Sequence, residues 1–221
     1  MAYRYSPLRL LAGVGRRATA YSARRAKAQR FAIANAWLAN LARPFKVNVG
    51  CGNQPFDGWV NLDLEPQTRA DFLWDITDGL PFGDTCCSFI YCEHFLEHLL
   101  IADGVRYLSE CFRCLECGGV LRVGMPSADS LIAHYYENTW AAQSWLQKYG
   151  FSHIKTRAEY INICFREWGH QWLYDMEELQ RRLREAGFSR ITTPAWGESI
   201  HPELRSRETR VETLLIAEAS K

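Results

Sequence analysis

The chain has 221 residues, 48% apolar and 23% charged, an ordinary globular make-up that bounds one domain with a substantial core. No apolar run reaches the ~18–20 residues that span a bilayer. The net charge of +1 hides an asymmetry: residues 1–46 hold ten Lys/Arg and no acid, leaving 16 basic and 25 acidic residues for the rest, a balance that disfavours a nucleic-acid partner.

In chain order, residues 1–43 form a basic extension ahead of a domain over 44–221. The extension reads as a solvated helical face, as a peripheral contact with anionic membrane, or as an organelle transit segment. The short apolar run at 10–14, closed by Arg16 and Arg17, is a poor secretory signal. A cytoplasmic protein is expected, membrane-peripheral or organelle-targeted under the last two readings. The stripe Phe31, Ala34, Trp37, Leu38 and Leu41 predicts a helix over 21–42, ended by Arg43-Pro44. Strands follow at 46–50, 59–62 and 71–74. Turn chemistry at Asp78-Gly79 and Pro81–Asp84 leads to an apolar strand at 87–92, of the kind buried on both faces.

Helices are predicted at 93–100 and 102–117, then a turn at Gly118-Gly119 and a strand at 120–125. Residues 126–172 form an insertion on the substrate side, helical and aromatic over 128–150. A helix at 176–186 ends at Gly187, and strands at 189–192 and 210–217 close the chain. Alternating strands and helices imply a parallel sheet covered by helices. The eight cysteines are expected to be reduced thiols. Cys111, Cys114 and Cys117 have cluster-like spacing, but they sit in an amphipathic helical pattern in which Cys111 and Cys114 join Leu108 and Leu115 on the apolar face. Core packing is the favoured reading.

Only residues 51–58 join the first two strands. A parallel crossover normally takes a dozen residues and a helix. Eight extended residues reach ~27 Å, more than a five-residue strand at ~17 Å. A bare loop can therefore return, leaving one sheet face uncovered, and the N-terminal helix is the expected cover. The two strands end in Asn48-Val49-Gly50-Cys51-Gly52 and in Gly58-Trp59-Val60-Asn61-Leu62-Asp63. Glycine lets the chain pass close to a ligand, and an acid at the next strand tip can accept both hydroxyls of a ribose. Without Gly-x-Gly-x-x-Gly, or a helix to hold a pyrophosphate, a dinucleotide oxidoreductase is disfavoured.

These two segments, with Asp75–Phe82, Ser88–His98 and Gly118–Val123, resemble the class I S-adenosylmethionine-dependent methyltransferases, specifically small members with an NLGCG…GWxNxD opening. The likeness spans roughly residues 45–219. It implies a Rossmann-like, doubly wound α/β fold of seven strands with the last antiparallel. The helix between strands one and two is missing or very short. The implied cofactor is S-adenosylmethionine. The implied cofactor residues are Asn48, Gly50, Cys51 and Gly52, then Asp63 and Leu64, Asp75 and Ile76, and Cys92. Asn48 stands where the family carries an acid.

Methyl transfer is an in-line displacement in which the enzyme positions a nucleophile and excludes water. A general base helps a hydroxyl or acidic-carbon acceptor. His94 is the first candidate, its ordinary pKa lying near neutrality, and Glu93 the second; packing or helix capping is the competing role for His94. The Glu-His-x-x-Glu-His order lacks the His-Glu-x-x-His arrangement, so no metal is expected, and Glu97 and His98 read as structural. Tyr135, His170, Trp172 and Tyr174 are candidate substrate residues, with Tyr136 and Trp140 as lid aromatics beside Tyr135. The expected acceptor is a small molecule or a saccharide precursor, methylated on oxygen or carbon. The rival is a catalytically silent binding or scaffold protein of the same fold.

Overall fold

The computed structural model describes residues 24–221, so most of the basic extension lies outside the described residues. The chain divides into two units, 1–42 and 43–221. In the first, helix α1 covers 24–38. The Asn40 side chain closes it by donating to the carbonyls of Ala36 and Trp37. Among the described residues no helix is long and apolar enough to cross a membrane.

The second unit is built on a seven-stranded sheet. Its strands are β1 (Phe45–Val49), β2 (Val60–Asp63), β3 (Phe72–Leu73), β4 (Cys87–Glu93), β5 (Leu115–Met125), β6 (Arg190–Thr192) and β7 (Leu215–Ser220). The order is β3-β2-β1-β4-β5-β7-β6. The pairs from β3 to β5 are parallel, and β7 runs antiparallel to both β5 and β6. From β1 the chain winds outward to β3, then returns to β4 on the other side of β1. The carboxyl ends of β1 and β4 are therefore the switch point, where open α/β sheets bind ligands.

Helices α2 (Ile101–Cys114) and α6 (Met176–Glu185) bury apolar stripes. Tyr107, Leu108, Cys111 and Cys114 of α2 are fully inside, as core packing requires. Gly187, at φ +113°, lets the chain leave α6 against Phe112: a Cβ there would stand 2.9 Å from the ring.

No helix joins β1 to β2, and the sheet is modified to suit. Cross-strand register partners form a polar row, Asn61–Asn48–Tyr91–Arg122–Glu218. The two asparagines sew the bare loop down. Asn48 Nδ2 donates to Gln54 O and to Asn61 Oδ1, both at 3.1 Å. Asn61 Oδ1 also accepts from Phe56 N at 2.7 Å, and Asn61 Nδ2 donates to Phe56 O, Trp59 O and Asp71. Loop backbone laid on a sheet needs such partners. Phe56, Trp59 and Leu204 pack beside Tyr91, and the Arg207 guanidinium lies 4.5 Å from the Phe56 ring.

Four elements differ from expectation. Of the residues predicted as a helix over 93–100, Glu93 instead extends β4 and pairs with Gly124. The chain then breaks at His94, at φ +48°, and makes a 3₁₀ turn at Leu96–His98. Strand β5 starts at Leu115, because Leu115 pairs with Cys87; Cys117 is therefore exposed on a strand and not helical, and Gly118-Gly119 is no turn. Strand β7 starts at Leu215 rather than 210, because the Glu93 side chain captures the N–H groups of Thr209 and Arg210.

The insertion holds α3 (Ala128–Tyr136), α4 (Ser144–Lys148) and α5 (Arg157–Arg166). The last was not foreseen, although Thr156 and Glu159 form a capping box at its start. The insertion has its own small core of Leu146, Tyr160 and Cys164, flanked by Trp140 and Trp145.

Candidate active site

The turn after β1 is fixed by Gly50 N and Cys51 N, which both donate to Leu62 O. Gly50 and Gly52 have φ of +68° and +52°, the left-handed region that favours glycine. Their surroundings differ. A Cβ on Gly50 would lie 2.6 Å from the Phe95 ring, whereas one on Gly52 would meet nothing within 4 Å. Gly52 N donates to Asp63 Oδ2 at 2.8 Å, and Glu65 N to Asp63 Oδ1 at 2.9 Å. The carboxylate is thus pinned at the tip of β2 with acceptor capacity left over.

Leu64 and Leu73 stand exposed beside Asp63. Asp75 caps the Ile76–Asp78 turn, accepting from Thr77 N and Oγ1 through Oδ1. Cys51 is buried, and burial, with Asp63 and Asp71 nearby, pushes its thiol up to about 11. Only its backbone is offered to a ligand. Asn48 is held in the polar row.

At the end of β4 three consecutive side chains part. Cys92 is fully buried against Tyr107, and burial raises its thiol to about 12. Its side chain points into the core, so a ligand would meet only its backbone. Glu93 reaches a strap at 206–214, where Oε1 accepts from Thr209 N, Arg210 N and the Thr213 hydroxyl, and Oε2 from Thr209 N and its hydroxyl. This carboxylate anchors the strap, and its acceptor sites are spent.

His94 Nε2 lies 3.1 Å from Thr213 Oγ1. The Thr213 proton goes to Glu93, so the hydroxyl oxygen accepts from His94 Nε2–H, leaving Nδ1 as the basic nitrogen. Nδ1 is 3.5 Å from Glu97 Oε1. Burial first, then Arg210 and the neighbouring histidines, push the His94 pKa down to about 3. The ring is neutral well below pH 7, a correction to the near-neutral value expected from sequence.

His94 also lines a cavity of about 490 Å³, within the ordinary range for small-molecule sites. The insertion supplies aromatic wall from Trp145, Tyr149 and Trp168, and the strap supplies Arg210. Of the four candidate substrate residues only His170 lines the cavity. Tyr174 is fully buried, close enough to Gly104 that a Cβ there would lie 3.1 Å from its hydroxyl. Tyr135 packs beneath the Arg157 guanidinium at 4.9 Å, and Trp172 is partly exposed outside the cavity. Thr213, Arg210, Trp145 and Trp168 were not found from sequence. The Glu-His-x-x-Glu-His order was a signal for this corner, but it was weighed only as metal-ligand spacing and set aside.

The residues at the β1 and β2 tips suit an adenosine. An unobstructed Gly52 backbone, a pinned carboxylate with free acceptor sites, and exposed leucines to flank a base are what it requires. Residues 47–123, from β1 into β5, match the model of a family described as a methyltransferase domain. No curated protein is similar to the chain. Among solved structures, an S-adenosylmethionine-dependent methyltransferase from Thermotoga maritima is similar with a TM-score of 0.50 at 18% identity, over 85% of this chain and 87% of that one. Another, from Archaeoglobus fulgidus, gives 0.51 at 13% identity, over 88% and 94%. At such identities the structural likeness is one of fold.

Proposed function

We propose that the chain, whose residues 47–123 match a methyltransferase-domain family, is an S-adenosylmethionine-dependent enzyme that methylates a small, ring-bearing acceptor, free or part of a saccharide precursor, on oxygen or carbon. One observation carries this reading: His94 directly follows β4 at the switch point and also lines the cavity. When bound, S-adenosylmethionine supplies an electrophilic methyl group. Asp63 would hold its ribose hydroxyls, the Gly50–Gly52 backbone its amino-acid and adenosine portions, and Leu64, Asp75 and Ile76 its adenine. The aromatic walls orient the acceptor ring and exclude water.

His94 receives the proton that an acceptor hydroxyl or acidic carbon gives up, at Nδ1. Its Nε2 is held by Thr213, which is itself bonded to Glu93, and its Nδ1 lies 3.5 Å from the Glu97 carboxyl. Its positive backbone φ is strain of the kind found at functional positions.

The test follows S-adenosylhomocysteine release from S-adenosylmethionine against a panel of hydroxylated and aromatic small molecules. An acceptor-dependent signal is expected, falling about tenfold or more in His94→Ala, since a base of such low pKa lies below the optimum for proton abstraction, while cofactor affinity stays within threefold. Undiminished turnover in His94→Ala would remove the base from the account.

A further inference from the structure

We propose that Glu97, His98 and His170 form a binding site for one divalent first-row transition ion, open to the cavity. One ligand atom from each lies within 4.8 Å of the others. Glu97 is 0% exposed, and neither of its carboxylate oxygens has a hydrogen-bond partner among the described residues. A buried carboxylate without donors is costly unless it is protonated or paired with a cation, and the two imidazole nitrogens beside it make a cation the partner this cluster is built to hold.

The two histidines are prepared as ligands. His170 Nδ1 is 2.8 Å from the carbonyl oxygen of Cys164, which places the proton on Nδ1 and leaves Nε2 as a lone-pair donor. The His98 ring is hydrogen-bonded to the Trp168 backbone. Its Nδ1 lies toward that loop, 3.9 Å from where a Cβ on Gly169 would stand, and its Nε2 faces Glu97 Oε1 at 4.0 Å. Metal-binding histidines are oriented this way, the second nitrogen tied to a carbonyl or carboxylate. The backbone clamps the same groups together, for Gln171 N and Trp172 N both donate to Glu97 O, at 2.8 and 3.1 Å.

Ligands ~2.1 Å from an ion stand ~3.4 Å apart in a tetrahedral site. Closure therefore needs movements of about 1 Å shared by three side chains. Two imidazoles and one carboxylate select a borderline ion such as Zn²⁺, Fe²⁺ or Co²⁺ over Mg²⁺ or Ca²⁺. Three protein ligands leave a coordination position free. His98 and His170 both line the cavity, so that position would receive an oxygen of the acceptor or a water. The sequence order alone pointed away from a metal, because the third ligand lies 72 positions beyond His98 and only the fold brings it in.

The test uses the full-length protein, stripped with a chelator and dialysed, then titrated with Zn²⁺ by calorimetry and with Co²⁺ by visible absorption. One equivalent is expected, with d–d bands and no thiolate charge-transfer band. Glu97→Gln and His170→Ala should each weaken binding at least tenfold, while His153→Ala, an exposed histidine elsewhere, leaves it unchanged. Circular dichroism of the stripped variants checks folding, and His98→Gln stands in for any variant that fails to fold. Absent or sub-stoichiometric binding, binding unmoved by the ligand variants, or a thiolate band would overturn the site. S-adenosylmethionine binding by the same stripped protein is read separately, so either reading can fail without the other.

Discussion

His94 and Thr213 meet at 3.1 Å between Nε2 and Oγ1, joining the end of β4 to a strap 119 residues further along. The contact sets which imidazole nitrogen carries the proton, because the Thr213 hydroxyl donates onward to Glu93 at 2.6 Å. Thr213→Val keeps the shape and removes both bonds. It should cost about 1 kcal/mol in urea unfolding and lower kcat about tenfold, with cofactor affinity unchanged. Equal kcat in the two proteins would show that the tautomer is not controlled from the strap.

The two glycines after β1 should respond differently to alanine. Gly50→Ala drives a methyl into the Phe95 ring and should lower the melting temperature markedly. Gly52→Ala places its methyl in open space, so its folding cost is limited to the left-handed backbone, about 1–2 kcal/mol. Its larger effect should be on S-adenosylmethionine, whose close approach the methyl obstructs. Calorimetry and thermal melts on both variants distinguish the effects; an unaltered affinity in Gly52→Ala would remove that backbone from the binding surface.

Arg122 is fully buried between Glu208 and Glu218, at 2.6 and 2.5 Å, and also donates to Glu198 O. Truncating one member of such a group leaves carboxylates uncompensated. Arg122→Met should therefore destabilise by about 3–5 kcal/mol. Glu208 adjoins the strap residues that hold His94, so activity should fall with stability. A loss under 1 kcal/mol would mean the carboxylates find other partners.

Much of the fold was legible because strands bury in apolar runs and glycines mark the turns between them. The short β1–β2 connection could be read from spacing alone. Its consequence could not. Asn48 looked like a weakened cofactor residue, whereas it pairs with Asn61 through register, a relation visible only once the strands are aligned. Likewise Glu93 and His94 were singled out as candidates, but their surroundings separate only through Thr209, Arg210 and Thr213, more than a hundred residues away. Local pattern carries no information about such partners. The break at His94, with its positive φ, was missed because no glycine or proline marks it in the sequence.

Acid should unfold the protein partly through Glu110. Arg113 hydrogen bonds first, and the Leu80 N–H as well, hold its carboxyl below the ordinary value of 4.5. The folded state thus binds this proton less readily than the unfolded chain. Its stabilising contribution is fully present above about pH 4.5 and is lost as pH falls through the lower folded value. Glu110→Gln should lower stability at pH 7 and flatten the decline below pH 4.5. Parallel stability–pH curves for the two proteins would assign the acid limb to other groups.

The central claim is an S-adenosylmethionine site at the tips of β1 and β2, and calorimetric titration of that cofactor into the wild type and Asp63→Ala tests it most directly. The account predicts one site per chain in the wild type and at least a tenfold weaker one in Asp63→Ala, about 1.4 kcal/mol or more, with the variant still folded by circular dichroism. No binding by the wild type, or equal binding by the two proteins, would contradict it.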